Sequence, residues 1–222
     1  GWEPVTIDLI KAYRPASRSI SSGQVLQSAY TVPKARNVVL EMADSLSLEL
    51  IDNRLVTDQI VLTVGYDVES LTDPAISARY DGPVTRDHYG RRVPVHAHGT
   101  LNTVEPTSSG DILISGFGEL FDRIINPDLL VRRLTLCANN LRREEEMSAN
   151  DMPVQLDLFT DYEELWRREE QRKEARARER RRQEAVLRIK KRFGKNAILK
   201  GLNFADGATQ RDRNRQIGGH RE

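Results

Sequence analysis

Lys11, Arg14, Ser17, Arg18, Ser19, Ser21, Ser22 and Gly23 crowd cations, hydroxyls and an unhindered backbone into one short stretch. Hydroxyls and backbone N–H groups hydrogen-bond to phosphate oxygens, and Lys and Arg release counterions on approaching a polynucleotide. The same residues suit an ordinary polar edge strand, so spacing alone leaves both readings open. Arg132 and Arg133 open a later strand, with Arg142 and Arg143 just beyond it. Should the first and last strands neighbour each other in a sheet, the two sets would form a basic stripe. Paired arginines are also common surface charge. His96 and His98 stand at i, i+2, so a strand would project both rings from one face. A metal there would need Cys137 or His88 as a further ligand, and two ordinary polar strand residues fit the spacing better. The sequence holds no paired-carboxylate motif, nucleophile elbow or phosphate-binding glycine loop. No catalytic residue, metal or cofactor is assigned to this chain.

Gln155, Leu156, Asp157, Leu158 and Phe159 form an apolar island between an acidic stretch and a charged one. Burying Leu158 and Phe159 in a partner's pocket is worth about 2–3 kcal/mol each. Ordering costs leave roughly micromolar affinity. A segment folding back on its own chain would use the same residues.

The elements that position these residues follow from composition and periodicity. The 222 residues carry 34 Lys+Arg against 33 Asp+Glu, a net charge of +1, which excludes a uniformly basic nucleic-acid binder. Hydrophobic residues are 38% and charged residues 30%, so part of the chain folds around a core and part is solvated. The single cysteine, Cys137, excludes an internal disulfide and suggests a reducing compartment, expected to be the cytoplasm. No stretch approaches a membrane span and no signal peptide is visible. Gly1 in place of Met suggests a processed chain or part of something longer.

Residues 1–16 read as a linker. Ser17–Leu26 is β-compatible. Pro33–Asn53 is the best helix, with Thr31 as its cap and Pro33 in its first turn. Gln59–Val68 alternates as a strand. Leu71–Pro94 reads as a long loop, uncommon enough to suggest binding. Val95–Val104 reads as a strand and Asp111–Ile125 as a helix weakened by Gly116 and Gly118. Leu130–Leu141 is a strand with Val131, Arg133, Thr135 and Cys137 on one face and Arg132, Leu134 and Leu136 on the other. The order β-α-β-β-α-β predicts an α+β, ferredoxin-like domain over 17–143. A four-stranded antiparallel sheet would carry two helices on one face and leave the other bare. Residues 144–160 read as an acidic linker holding the apolar island. Residues 161–195 read as a charged helix packed at its ends through Leu165, Trp166, Val186, Leu187 and Ile189. Residues 196–222 read as an irregular tail.

Several separated motifs resemble one family. Gln155–Phe159 (QLDLF) resembles the bacterial sliding-clamp-binding motif. Lys11–Leu26 (KAYRPASRSISSGQVL) resembles the start of the little-finger domain of Y-family translesion DNA polymerases. Arg86–Thr100 (RDHYGRRVPVHAHGT) and Gly207–His220 (GATQRDRNRQIGGH) are similar to the UmuC/ImpB/MucB/SamB branch. The resemblance implies a little finger that grips both DNA backbones at a primer–template, and a role in DNA repair and the SOS response. By position it assigns DNA contacts to Arg18, Ser19, Ser21 and Ser22 on the first strand and to Arg132 and Arg133 on the last; Lys11 and Arg14, from the phosphate reading above, join them as candidate DNA contacts. It assigns clamp contacts to Gln155–Phe159. In the family, nucleotidyl transfer uses Mg2+ held by palm carboxylates, and this chain has no matching segment. The expectation is therefore the C-terminal part of a polymerase, inactive alone, whose partners are duplex DNA, the sliding clamp and a missing N-terminal core. The alternative is a non-enzymatic protein-interaction module that uses the charged helix and QLDLF without DNA. That alternative expects no continuous basic stripe on the bare sheet face.

Overall fold

The structure, a computed structural model, describes residues 5–12, 18–147, 162–217 and 220–221. The first element is a short helix, α1 (Ile7–Ala12). Then come β1 (Ile20–Tyr30), α2 (Val32–Asp52), β2 (Leu55–Tyr66), two single helical turns, α3 (Glu69–Thr72) and α4 (Pro74–Ser77), and a small hairpin, β3 (Val84–Arg86) with β4 (Arg92–Pro94). They are followed by β5 (Ala97–Thr107), α5 (Gly110–Ile124), β6 (Val131–Asn139), β7 (Arg142–Arg143), α6 (Glu144–Met147) and the long α7 (Tyr162–Phe193). A 3-10 turn (Gly201–Phe204), α8 (Gln210–Arg213) and the pair β8 (Gln216–Ile217) and β9 (His220–Arg221) complete the described residues.

The main sheet runs β1-β6-β2-β5, with β7 added against the start of β2, and all its pairings are antiparallel. Each β-α-β unit is thus split by a strand of the other. β6 lies between β1 and β2, and β2 lies between β6 and β5. The first and last long strands are direct neighbours.

Alternation explains which face is covered. Ile60, Leu62 and Val64 of β2 and Leu134, Leu136 and Ala138 of β6 are fully buried against α2 and α5. From α2 come Val38, Val39, Met42 and Leu46, and from α5 Leu113, Phe117, Leu120 and Phe121. Each such side chain contributes about 1.5–3 kcal/mol by leaving water. Ser109 caps α5, its hydroxyl accepting from the Ile112 N–H at 3.2 Å. The glycines that weaken α5 as an isolated helix let it pack closely. A Cβ at Gly116 would sit 3.1 Å from Ile60, and one at Gly118 3.2 Å from Leu40 of α2. Thr31 precedes α2 with extended backbone but makes no side-chain cap; its carbonyl accepts the Ala35 N–H instead.

Four expectations are corrected. Val131 is buried with Leu134, out of simple alternation. Gly65 pairs with Arg133 while Tyr66 pairs with Val131, so Arg132 is an extra residue, a β-bulge that resets the phase. The stretch 71–94 is not a plain loop but holds α4 and the β3–β4 hairpin. The charged helix is not packed at its beginning, since Trp166 is 67% exposed. It docks through its second half. Glu179 accepts from the Ser109 hydroxyl at 2.8 and 2.9 Å and from the Asp111 N–H at 3.0 Å. Arg180 forms a two-pronged pair with Glu144 at 2.6 and 2.9 Å, which ties the start of α6 to the helix. Arg182 reaches Asp111 and Lys191 reaches Asp52.

The fourth correction concerns the tail. Glu41 faces outward from the core side of α2 yet is only 1% exposed. Its carboxylate accepts from Asn203 Nδ2 at 2.7 Å and from the N–H groups of Thr209 and Gln210 at 2.8 and 3.2 Å. Residues 200–214 therefore wrap α2, because a buried carboxylate requires donors and Asn203, Thr209 and Gln210 supply them. Lys200 adds a pair to Asp44 at 2.6 Å.

Candidate nucleic-acid interface

Among the described residues, no segment lies across the sheet face opposite α2 and α5. The register lays its side chains in rows across the four long strands. One row is Ser21–Cys137–Val61–Thr100, the next Gly23–Thr135–Thr63–His98. Val25, Arg133 and Gly65 form a third at one end, and Asn139, Gln59 and Asn102 a fourth at the other. Directly opposed residues share a face, so this surface is mostly hydroxyls and amides with two glycines and one arginine, together with the Cys137 thiol, the His98 ring and the side chains of Val25 and Val61.

The rows are internally ordered. Asn139 donates to Gln59 at 3.1 Å and Gln59 to Asn102 at 3.0 Å. Cys137 Sγ lies 3.1 Å from Asn139 Oδ1. Thr63 Oγ1 stands 2.9 Å from His98 Nδ1. Gly65 is closely approached by its neighbour: a Cβ there would lie 3.2 Å from Arg133 Cβ, and the two strands would have to shift by a few tenths of an ångström to accept it. Gly23 leaves open room beside Thr135. Such a surface offers neutral donors and permits a backbone to approach closely.

The candidate residues divide. Ser21 lies on the open face beside Cys137. Ser22 pairs with Leu136 and so belongs to the helix-covered face. Arg18 and Ser19 precede β1, although the Arg18 carbonyl still accepts from the Leu141 N–H at 3.1 Å. Arg133 is exposed on the open face, whereas Arg132 is turned aside by the bulge, 3.6 Å from Asp67. Arg142 pairs with Asp58 at 3.1 Å. Lys11 is exposed on α1. Arg14, and Gln155, Leu156, Asp157, Leu158 and Phe159, lie outside the described residues. Among the described residues, the two basic sets therefore form no continuous basic stripe on this face. His96 and His98 are both exposed, and among the described residues no three His, Cys, Asp or Glu side chains gather as a metal site.

The hairpin adds residues that spacing did not single out. β5 begins with Ala97 against Val64, beside the Gly65–Arg133 pair, so β3–β4 projects from the Arg133 end of the sheet. Its tip carries Tyr89, 79% exposed, with the Arg91 guanidinium 5.2 Å from the ring centroid. Asp87 holds the turn by accepting from the Tyr89 and Arg91 N–H groups, both at 2.9 Å. Arg86 and Arg92 flank it. The alternation of arginines with a tyrosine was the available signal.

Burial raises the pKa of the Cys137 thiol, and a hydrogen bond with Ser19 partly opposes the rise. The thiol is thus protonated at neutral pH. Alkylation at pH 7.5 is expected to be several-fold slower than for a free cysteine, the deficit closing as pH rises. A rate equal to free cysteine, measured by mass spectrometry, would contradict this placement.

An α+β domain whose antiparallel sheet is bare on one face and polar there has the architecture of a little finger. Residues 17–158 match the impB/mucB/samB family C-terminal domain, and the chain belongs to that family. The family is that of Y-family translesion DNA polymerases acting in DNA repair, which gives the chain a DNA-related role. A comparison with curated proteins finds no match. No helix among the described residues is long and apolar enough to cross a membrane.

Proposed function

We propose that the chain grips duplex DNA with the open sheet face and tethers it to the sliding clamp through Gln155–Phe159. The observation that carries the reading is the uncovered face, with hydroxyls and amides in rows, glycines at 23 and 65 and Arg133 at one end. Neutral donors bond phosphate oxygens on any sequence, which suits a damaged template. Arg133 and the hairpin arginines supply the charged contacts. Nucleotidyl transfer and its Mg2+ belong, in this reading, to a palm elsewhere; no catalytic role falls to the described residues. The clamp peptide raises the local concentration of a weak DNA binder.

Duplex binding should be independent of sequence. With three or four cations engaged, log K should fall with log salt at a slope of roughly −3 to −4. A flat response in an anisotropy titration would refute the grip. Leu158→Ala with Phe159→Ala should abolish co-elution with the clamp, and undiminished co-elution would remove the tether.

The lack of a continuous basic stripe among the described residues favours a second reading, a protein-interaction module that binds no DNA. That reading predicts no duplex binding even at low salt, so the same titration separates the two.

A further inference from the structure

We propose that the end of α7 and the loops packed beside it form a separate binding surface for single-stranded nucleic acid, with bases stacking on Phe193 and Phe204. The surface lies on the helix side of the molecule, away from the open sheet face. Phe193 is 66% exposed and Phe204 is 64% exposed. Each ring has an arginine over it, Arg192 at 5.1 Å from the Phe193 centroid and Arg211 at 5.0 Å from the Phe204 centroid.

The two rings belong to one packed region. Asn196 donates to the Arg211 carbonyl at 3.1 Å, and Asn214 donates to Asn196 at 2.7 Å and to the Lys195 carbonyl at 3.3 Å. These bonds tie the turn after Phe193 to α8, and Arg211 of α8 reaches back to Phe204.

Charge points the same way. Residues 188–215 hold nine Lys and Arg against two Asp, a balance of +7. Lys191 and Lys200 are spent on Asp52 and Asp44 of α2, and one of the two carboxylates, Asp206, is spent on Lys34. Arg188, Arg192, Lys195, Arg211 and Arg215 are exposed and form no ion pair among the described residues. Asp212 is the remaining opposing charge.

Exposed rings set among unpaired cations match single strands better than duplex or acidic protein. An unpaired base presents its π-face to a ring, whereas a stacked base pair does not, and a carboxylate needs no ring. Arginine over each ring adds a cation and a flat guanidinium to the same stack.

The test is anisotropy of the full chain with fluorescent oligo(dT) and, in parallel, with duplex. Phe193→Ala with Phe204→Ala removes only exposed rings and should leave folding intact. It is expected to weaken oligo(dT) binding about tenfold or more and leave duplex binding unchanged. Arg192→Ala with Arg211→Ala should do the same. Ultraviolet cross-links to oligo(dT) should map to Phe193 or Phe204. The inference is overturned if the ring variant binds oligo(dT) as the parent does, if oligo(dT) does not bind, or if poly-glutamate of equal charge displaces it as well as unlabelled oligo(dT). Duplex titration of Thr135→Glu reports on the sheet face alone, so the two readings fail separately.

Discussion

Thr135→Glu is expected to weaken duplex binding by roughly a hundredfold while the protein remains folded. Thr135 sits mid-sheet on the open face, between Gly23 and Thr63. The Gly23 side leaves room for a longer side chain. A carboxylate placed there faces the phosphates that the surface would hold. At about 6 Å and an intermediate dielectric, repulsion is on the order of 1–2 kcal/mol per nearby phosphate. Two such contacts give about 3 kcal/mol, or a hundredfold. The cost to the strand itself stays within about 1 kcal/mol, so circular dichroism and the melting temperature check folding. Thr135→Ala removes one hydroxyl and should weaken binding only a few-fold. Equal affinity of Thr135→Glu and parent would mean that DNA does not meet this face.

The second large effect is on stability. Glu41→Ala removes the acceptor of three hydrogen bonds from residues 203, 209 and 210. Bonds to a buried charge are each worth about 1.5–3 kcal/mol, and unpaired donors left behind cost further. The loss, about 3 kcal/mol or more, is limited by the ability of residues 200–214 to detach and solvate their donors. Trypsin should then cut between Lys195 and Arg215 many times faster than in the parent, while a fragment spanning the sheet survives. Glu41→Gln should be nearly as harmful, because its amide group must donate where only donors converge. Unchanged cleavage in both variants would show that Glu41 does not hold the tail.

How much of this was legible follows from which interactions are local. The alternation in Gln59–Val68 and the spacing of Val38, Val39, Met42 and Leu46 reflect burial against a single neighbouring layer, and they located β2 and α2 to within a few residues. The phase of β6 was lost at Arg132, because a bulge depends on pairing with Gly65 and Tyr66 of another strand. The tail looked irregular because its reason for order, the Glu41 carboxylate, lies more than 160 positions away in sequence. The docking of α7 was hidden for the same reason: Glu179 and Arg180 read as members of a solvated helix until Ser109 and Glu144 stand beside them. Of the candidate contacts, Ser21 and Arg133 share the open face. Ser22 and Arg132 are separated from them by pleat and bulge, which residue type does not encode.

The most direct test of the gripping surface uses Cys137, the one cysteine in the chain and a member of the central row of that face. Its alkylation rate at pH 8 should be measured with and without saturating duplex DNA. The proposed grip predicts that bound duplex slows modification by about tenfold or more, by covering the row. Modification that proceeds at the same rate with duplex fully bound would place the DNA elsewhere and contradict the account.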